Sequence, residues 1–431
     1  MNLQLTPETA THLVDLEERA RLVLRFAQVL YTNGQSTDQT LAATERLAFS
    51  LGVRVVIDTR WEQLQFQIVD GDRTFTLESL DAPSGVDMTR VAAAMRAIDD
   101  VVAGRLGIDQ AAKMVRTISV MPPAPTWLFS LAAACGAVAL AVIFGIEHLP
   151  AAAIIFASAG AGGILRRALA RCGGNLFVQP FGAALLAGII GAVATRYQLS
   201  STLRLVAVCP CMVLVPGPHI LNSALDLIQG RIHIGAARGI YAALTIASIT
   251  IGLLLGLTLG GQQLPVDPSG RAIPLWMDVI AAGIAVAAYS IFFSAPLRML
   301  PWPVLVGMFA HACRWVAITF FSASAAMGAC IACIIVGLIL VPVSRRTHMP
   351  FAAIGFASVV SMMPGVFLFR LGSGLDQLAH EKATLALIAG TAGDGMTAVT
   401  IVVAMSLGLI VPKLLVDYIS DRYGRNAMGA R

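Results

Sequence analysis

Two proline-glycine pairs interrupt otherwise apolar stretches of the chain, Val215-Pro216-Gly217 and Met363-Pro364-Gly365, 148 residues apart. Proline removes a backbone donor and its ring clashes with the preceding turn, so a helix running through either pair breaks and leaves carbonyls that need another partner. Inside a membrane such half-helix ends and freed backbone groups suit the binding of ions and carboxylates. The first pair is followed by His219, Asn222 and Asp226. Asn222 and Asp226 are four residues apart and share a helix face. The second pair is likewise followed, about ten residues on, by an acid, Asp376. A further carboxylate, Asp394, lies in Gly390-Thr391-Ala392-Gly393-Asp394-Gly395, with apolar residues on both sides. A charge that deep is costly to keep, which suits the group to carry a proton, and the adjoining glycines would admit another backbone or a substrate. The expected substrate-binding residues are therefore Pro216, Gly217, Asn222, Pro364 and Gly365, and the expected proton-coupling residues are Asp394 and Asp226.

Plainer readings exist for each feature: a kinked helix satisfied by its neighbours, Asp226 at a membrane interface, or Asp394 bonded to a nearby hydroxyl. Arg370, Asp376, Glu381 and Lys382 cluster near one end of an apolar stretch and read as interfacial anchors or solvated charges. Cys330-Ile331-Ala332-Cys333 and Cys209-Pro210-Cys211 have redox-like or metal-like spacing, but both lie in apolar runs and read as packing residues. No HExxH, Walker A or GxSxG pattern occurs. No metal, cofactor, disulfide framework or enzymatic activity is expected.

The elements that must position these residues follow from composition. Of 431 residues, 57% are hydrophobic and 13% charged, against roughly a quarter charged in soluble domains. That excludes an ordinary soluble enzyme. Ten apolar spans can be drawn: about 126–146, 151–168, 176–195, 203–226, 235–259, 276–295, 301–318, 320–343, 350–372 and 384–411. The seventh is the weakest. Aromatics are few at 7% and glycines number 39, which favours close helix packing over large side chains. Residues 1–120 hold 12 basic and 16 acidic residues, and the rest hold 18 and 9. The overall +5 is a topology signal and no footprint for nucleic acid. With residues 1–120 inside, twelve Lys and Arg fall at cytoplasmic ends, among them Arg231, Arg238, Arg422, Arg425 and Arg431. Six fall outside, among them Arg204, Arg271, Arg370 and Lys382. That two-to-one bias predicts a multi-pass membrane protein with an even number of spans and both termini cytoplasmic. The first residues lack a basic segment leading into an apolar core, so no cleaved signal peptide is expected. Among the nine acids after residue 120, Asp226 and Asp394 are read as the two left inside spans.

Residues 1–120 predict a small cytoplasmic α/β domain. A helical stripe runs over 11–31 and ends at Asn33-Gly34; Ser36 and Gln39 fit a capping box for a helix to Ser50. Leu64, Phe66 and Ile68 alternate on one face of a strand, and Asp70-Gly71-Asp72 turns into the next, giving a hairpin or three-stranded meander. Helices over about 87–104 and 108–118 lead to Met121-Pro122-Pro123-Ala124-Pro125, too proline-rich to be helical. The segment 261–275 is read as an external loop separating a first half, 121–260, from a second, 276–431. Five spans per half force the second half to enter the bilayer oppositely, the layout of inverted-repeat transporters.

Asn33-Gly34-Gln35-Ser36-Thr37 through Glu45-Arg46-Leu47-Ala48 to Leu51-Gly52, followed by a β section and ten spans, resembles the threonine/serine exporter family. Val215-Pro216-Gly217, Asn222, Asp226, Gly230, Gly235 and Arg238 are similar to its signature around the fourth span, and Met363-Pro364-Gly365 to the counterpart in the second half. The resemblance covers nearly the whole chain. It implies a bacterial inner-membrane secondary exporter that moves small hydroxy amino acids outward, driven by the proton gradient, in a fused form of what other relatives build from two five-span proteins. Those split relatives are associated with dicarboxylates such as succinate, so the implied partner is a small carboxylate-bearing metabolite: threonine, serine or a dicarboxylate. A passive efflux channel is the alternative class. The bilayer is the other expected partner, and a homo-oligomer is left open. One departure is Leu41, near which many relatives carry an acid.

Overall fold

The computed structural model describes residues 7–70, 73–146, 148–173, 175–197, 203–264, 273–380 and 383–429. Residues 1–6, on which the signal-peptide reading partly rests, the turn residues Gly71 and Asp72, Arg271 with most of the expected external loop, Glu381, Lys382 and Arg431 lie outside them. So do the side chains of Arg204, Arg422 and Arg425. The chain divides into two compact units.

The first unit comprises Met1–Pro123, Asn222–Gly239 and Arg346–Ala353. It contains α1 (Pro7–Thr32), α2 (Thr37–Ser50), β1 (Val55–Arg60), β2 (Gln63–Asp70), β3 (Arg73–Ser79), α3 (Met88–Val102) and α4 (Ile108–Ser119). The strands form an antiparallel sheet in chain order, with Ile57 opposite Phe66 and Phe66 opposite Leu77. Alternation in β2 buries Leu64, Phe66 and Ile68, which join Phe26, Leu30, Leu47, Val91 and Ile98 in one apolar core. Gly34 turns the chain from α1 into α2 with φ +92°, a conformation that side-chain-bearing residues rarely adopt. Ser36 is the N-cap of α2, yet its side chain makes no capping bond, so the expected capping box with Gln39 does not form. Asp87 caps α3 instead in the usual way, accepting the Arg90 N–H at 3.0 Å.

The second unit comprises Ala124–Leu221, Ile240–Arg345 and Ile354–Arg431. The remaining helices are α5 (Thr126–Ile143), α6 (Leu149–Arg171), α7 (Val178–Arg196), α8 (Leu203–Met212), α9 (Gly217–Ile228), α10 (Ile232–Leu259), α11 (Leu275–Phe292), α12 (Pro301–Phe321), α13 (Ala325–Thr347), α14 (Phe351–Val359), α15 (Gly365–His380) and α16 (Leu385–Gly429). Among the described residues eight helices are long and apolar enough to cross a membrane. Two bent pairs, α8 with α9 at 55° and α14 with α15 at 66°, raise that to ten if each is one span. The weakest expected span is α12, a helix of 21 residues that passes the same test. Outward-facing Phe309, Leu305, Ile284, Leu255 and Val403 are exposed, an arrangement at home in lipid and costly in water. The chain is a polytopic α-helical membrane protein.

Small residues set the helix spacing. A Cβ on Gly188 of α7 would lie 2.9 Å from the Gly256 Cα of α10, so these helices touch backbone to backbone. Helices α5 and α11 pair closely as well, through Gly136 against Ala288 and the Phe129 and Phe292 rings stacked with centroids 4.4 Å apart.

Candidate functional site

The two breaks fall at the proline-glycine pairs. Pro216 has no N–H to give the Met212 carbonyl four residues earlier. That carbonyl accepts two other donors, the Val215 N–H at 3.3 Å and the Tyr289 hydroxyl of α11 at 2.9 Å. The side-chain partner of this carbonyl thus comes from α11, 77 residues along the chain. Past each break a new half-helix starts at glycine, α9 at Gly217 and α15 at Gly365. Their surroundings are crossed: Gly217 abuts the Phe356 ring of α14, leaving no room for a Cβ, and a Cβ on Gly365 would lie 2.9 Å from the Met212 side chain of α8. Each break therefore packs on the N-terminal half of the other bent pair. A small cavity of about 20 Å³ lies here, lined by Gly217, Phe356, Met363 and Ser406 among mainly apolar side chains. Its volume suits about one water. Pro216, Pro364 and Gly365 do not line it.

Asp394 of α16 is buried and ion-paired to the equally buried Arg370 of α15, Nε to Oδ2 3.0 Å. Arg370 is thus no interfacial anchor. Close approach makes the pair: Gly374 has no space for a Cβ against Thr391, and a Cβ on Gly395 would lie 3.3 Å from Leu371. Gly393 faces open space.

Asn222 and Asp226 belong to the first unit, apart from the residues of the breaks. They do share a face, and it meets the segment between α1 and α2. Asn222 Nδ2 donates to the Gly34 carbonyl at 3.3 Å, and the Thr37 hydroxyl donates to Asp226 Oδ2 at 3.0 Å. Arg238 of α10, buried and expected as a surface anchor, sits 3.2 Å from the same carboxylate, and Arg231 lies at 3.6 Å. Arg231 also reaches Asp38 at 3.7 Å. The α9–α10 turn explains the spacing of the motif. Gly230 takes φ +76° after α9, and a Cβ on Gly235 would lie 3.0 Å from the Leu227 backbone nitrogen. Only a glycine at each point lets α10 fold back tightly enough to set Arg238 opposite Asp226. Arg238 also lies 5.7 Å from the Tyr31 ring centre, and burial pushes the Tyr31 phenol up, so it stays neutral.

Sequence reasoning missed a third cluster. Asp278 at the start of α11 is buried, and so is His311 of α12. His311 Nδ1 lies 2.9 Å from Asp278 Oδ2, and its Nε2 contacts the Ser361 hydroxyl, two residues before Met363-Pro364. Arg314, one turn further along α12, has a buried Nε without a hydrogen-bond partner among the described residues and lies in the field of Asp278. The signal was present: Asp278 falls within the expected span 276–295, so Asp226 and Asp394 are not alone among the acids inside spans. Among the described residues no group of three or more His, Cys, Asp or Glu side chains is placed to hold a metal ion.

Comparison with known proteins agrees with this architecture. A family described as "Putative threonine/serine exporter" (ThrE) matches residues 21–260, and one described as "Threonine/Serine exporter, ThrE" matches residues 278–415. The chain is 27% identical over 406 residues to the "Probable threonine/serine exporter" of Mycobacterium tuberculosis, a match that covers 86% of this chain and 74% of the relative. No solved structure matches. With the first match alone spanning more than half of its length and the second taking up most of the rest, the chain belongs to the threonine/serine exporter family.

Proposed function

We propose that the protein is a secondary exporter that moves threonine and serine outward across the inner membrane, driven by the proton gradient and working by alternating access between two inverted five-span halves. The observation that carries this reading is the crossed packing of the two breaks, Gly217 on Phe356 and Gly365 on Met212. Two equivalent half-helix starts that each rest on the other's partner helix are the contacts expected of a pseudo-two-fold site. The substrate carboxylate would meet the positive N-terminal ends of α9 and α15 at Pro216-Gly217 and Pro364-Gly365. The present cavity is too small for an amino acid, so transport requires the breaks to part.

Asp394 is the leading proton carrier. A proton on its carboxylate, or a substrate carboxylate on Arg370, would open their ion pair, and that competition links the two fluxes. Asp226 is proposed in the same role at the start of α2, where loss of its charge would free Arg238 and Thr37. Residues 1–120 would lie in the cytoplasm with both termini and act as a gate, regulator or assembly surface.

The test is transport of labelled threonine, serine and succinate in proteoliposomes under an imposed pH gradient. Uphill threonine movement that an uncoupler abolishes is expected, and Asp394→Asn should remove it while the protein stays monodisperse. Flux indifferent to the uncoupler would establish a passive channel, and preference for succinate would reassign the substrate. Unchanged coupling in Asp394→Asn would remove that residue from the mechanism.

A further inference from the structure

We propose that Ser361, His311 and Asp278 form a proton relay that ties the protonation of His311 to the position of the second break. The proposal rests on the proton-coupled reading above and names a site that reading does not use. A histidine held at both ring nitrogens has few ways to respond to a proton. Asp278, an acceptor when charged, fixes the hydrogen on Nδ1, so Nε2 is left as the titrating atom. When His311 is neutral, the Ser361 hydroxyl donates to Nε2. When a proton binds there, Nε2–H donates to the Ser361 oxygen, and the serine hydrogen must turn to another acceptor. One proton therefore reverses one hydrogen bond, and nothing else in the chain of contacts changes its covalent state.

The reversal takes place at a position able to transmit it. Ser361 lies in the short 3₁₀ turn Val360–Met362 that joins α14 to Met363 and Pro364, so its hydroxyl is attached to the break itself. Helix α12 is pressed onto this span one turn before His311. A Cβ on Gly307 would lie 3.1 Å from the Ser358 carbonyl oxygen, and the Ser358 hydroxyl donates to the Pro303 carbonyl at 3.1 Å. Two charged groups act on the ring among the described residues, Asp278 from α11 and Arg314 from α12. Their charges are opposite, so a protonated His311 would add a net positive charge to a buried site. Such a state is costly unless something compensates it, and an incoming substrate carboxylate at the break would supply the missing negative charge. Proton and substrate would in that way favour each other's binding.

The test compares wild type with His311→Gln, Ser361→Ala and Asp278→Asn in proteoliposomes, reading gradient-driven threonine transport, threonine-for-threonine exchange without a gradient, and the pH dependence of each. Glutamine keeps a hydrogen-bonding side chain at 311 but takes up no proton. The expected result is loss of gradient-driven transport in His311→Gln, with exchange retained and flat across pH. Ser361→Ala changes a single oxygen and guards against a folding defect at 311; it should also lose driven transport. Wild-type coupling that persists in both variants overturns the relay while leaving proton-coupled export standing. Wild type that shows no gradient-driven transport overturns the proton-coupled reading, and the relay with it. Covalent labelling of Ser361 by a serine-directed phosphonate, with loss of all flux, would mark a nucleophile and overturn the relay as well.

Discussion

At the scale of single residues, the membrane-associated acids differ in what neutralises them. Among the described residues Asp394 is ion-paired to Arg370, whereas Asp226 is held by Arg238, by Arg231 and by a hydroxyl from Thr37. Removing one member of a buried ion pair strands the other, and that typically costs about 3–5 kcal/mol. Arg238→Gln leaves Asp226 with the more distant Arg231 and the Thr37 hydroxyl, so it should lower the thermal stability of the purified protein by part of that cost, and Asp226→Asn added to it should restore most of the loss. A double variant no more stable than Arg238→Gln alone would show that the pair does not hold the α9–α10 turn in place. The glycine spacing around this pair is legible in the sequence as a motif, but its cause is not, because the tight turn depends on a contact of Gly235 with the Leu227 backbone. Asp278 shows a different blind spot. Its partner His311 is 33 residues away, and no helical period links two side chains on different helices. Arg370 reads as an anchor for the same reason, since Asp394 belongs to another helix.

At the scale of elements, hydropathy and proline placement carry most of the architecture. Most helix ends fall within a few residues of the expected spans, although α15 and α16 continue to His380 and Gly429, well past the expected ends, and the strand alternation at Leu64, Phe66 and Ile68 is the burial observed. The breaks are legible too, because a missing N–H and a pyrrolidine ring act locally. The bend angles and the hydrogen bond from Tyr289 to the Met212 carbonyl are tertiary, and 77 residues separate that donor from its acceptor. This predicts a packing experiment. Gly217→Ala should destabilise the protein by about 1–3 kcal/mol, the usual cost of overpacking. Phe356→Leu should relieve the clash and recover part of that stability in the double variant. Independent, additive losses in melting experiments would mean that Gly217 and Phe356 do not touch.

At the scale of the whole molecule, a composition of 57% hydrophobic and 13% charged residues places the chain in a membrane, and the acid-rich first 120 residues set it apart from the remainder. Composition does not reveal how the helices before and after the α10–α11 connection hold together. Within the second unit they meet through α5 and α11, where Gly136 lies on Ala288 and Phe129 stacks on Phe292, and through the Tyr289 bond to the end of α8. These contacts join the helices before α10 to those from α11 onward without relying on the peptide segment between α10 and α11. A chain divided in that segment, expressed as residues 1–264 and 273–431, should therefore reassemble. Co-purification of the two pieces from membranes, with one affinity tag on the first, is the expected result. Gly136→Leu should then weaken the association, because the larger side chain forces α5 away from α11. That variant in the undivided chain should lose far less, since the covalent link keeps the effective concentration of the halves high. Pieces that fail to associate, or a Gly136→Leu variant that pairs as well as wild type, would place the cohesion of the molecule in the connecting segment instead of the α5–α11 seam.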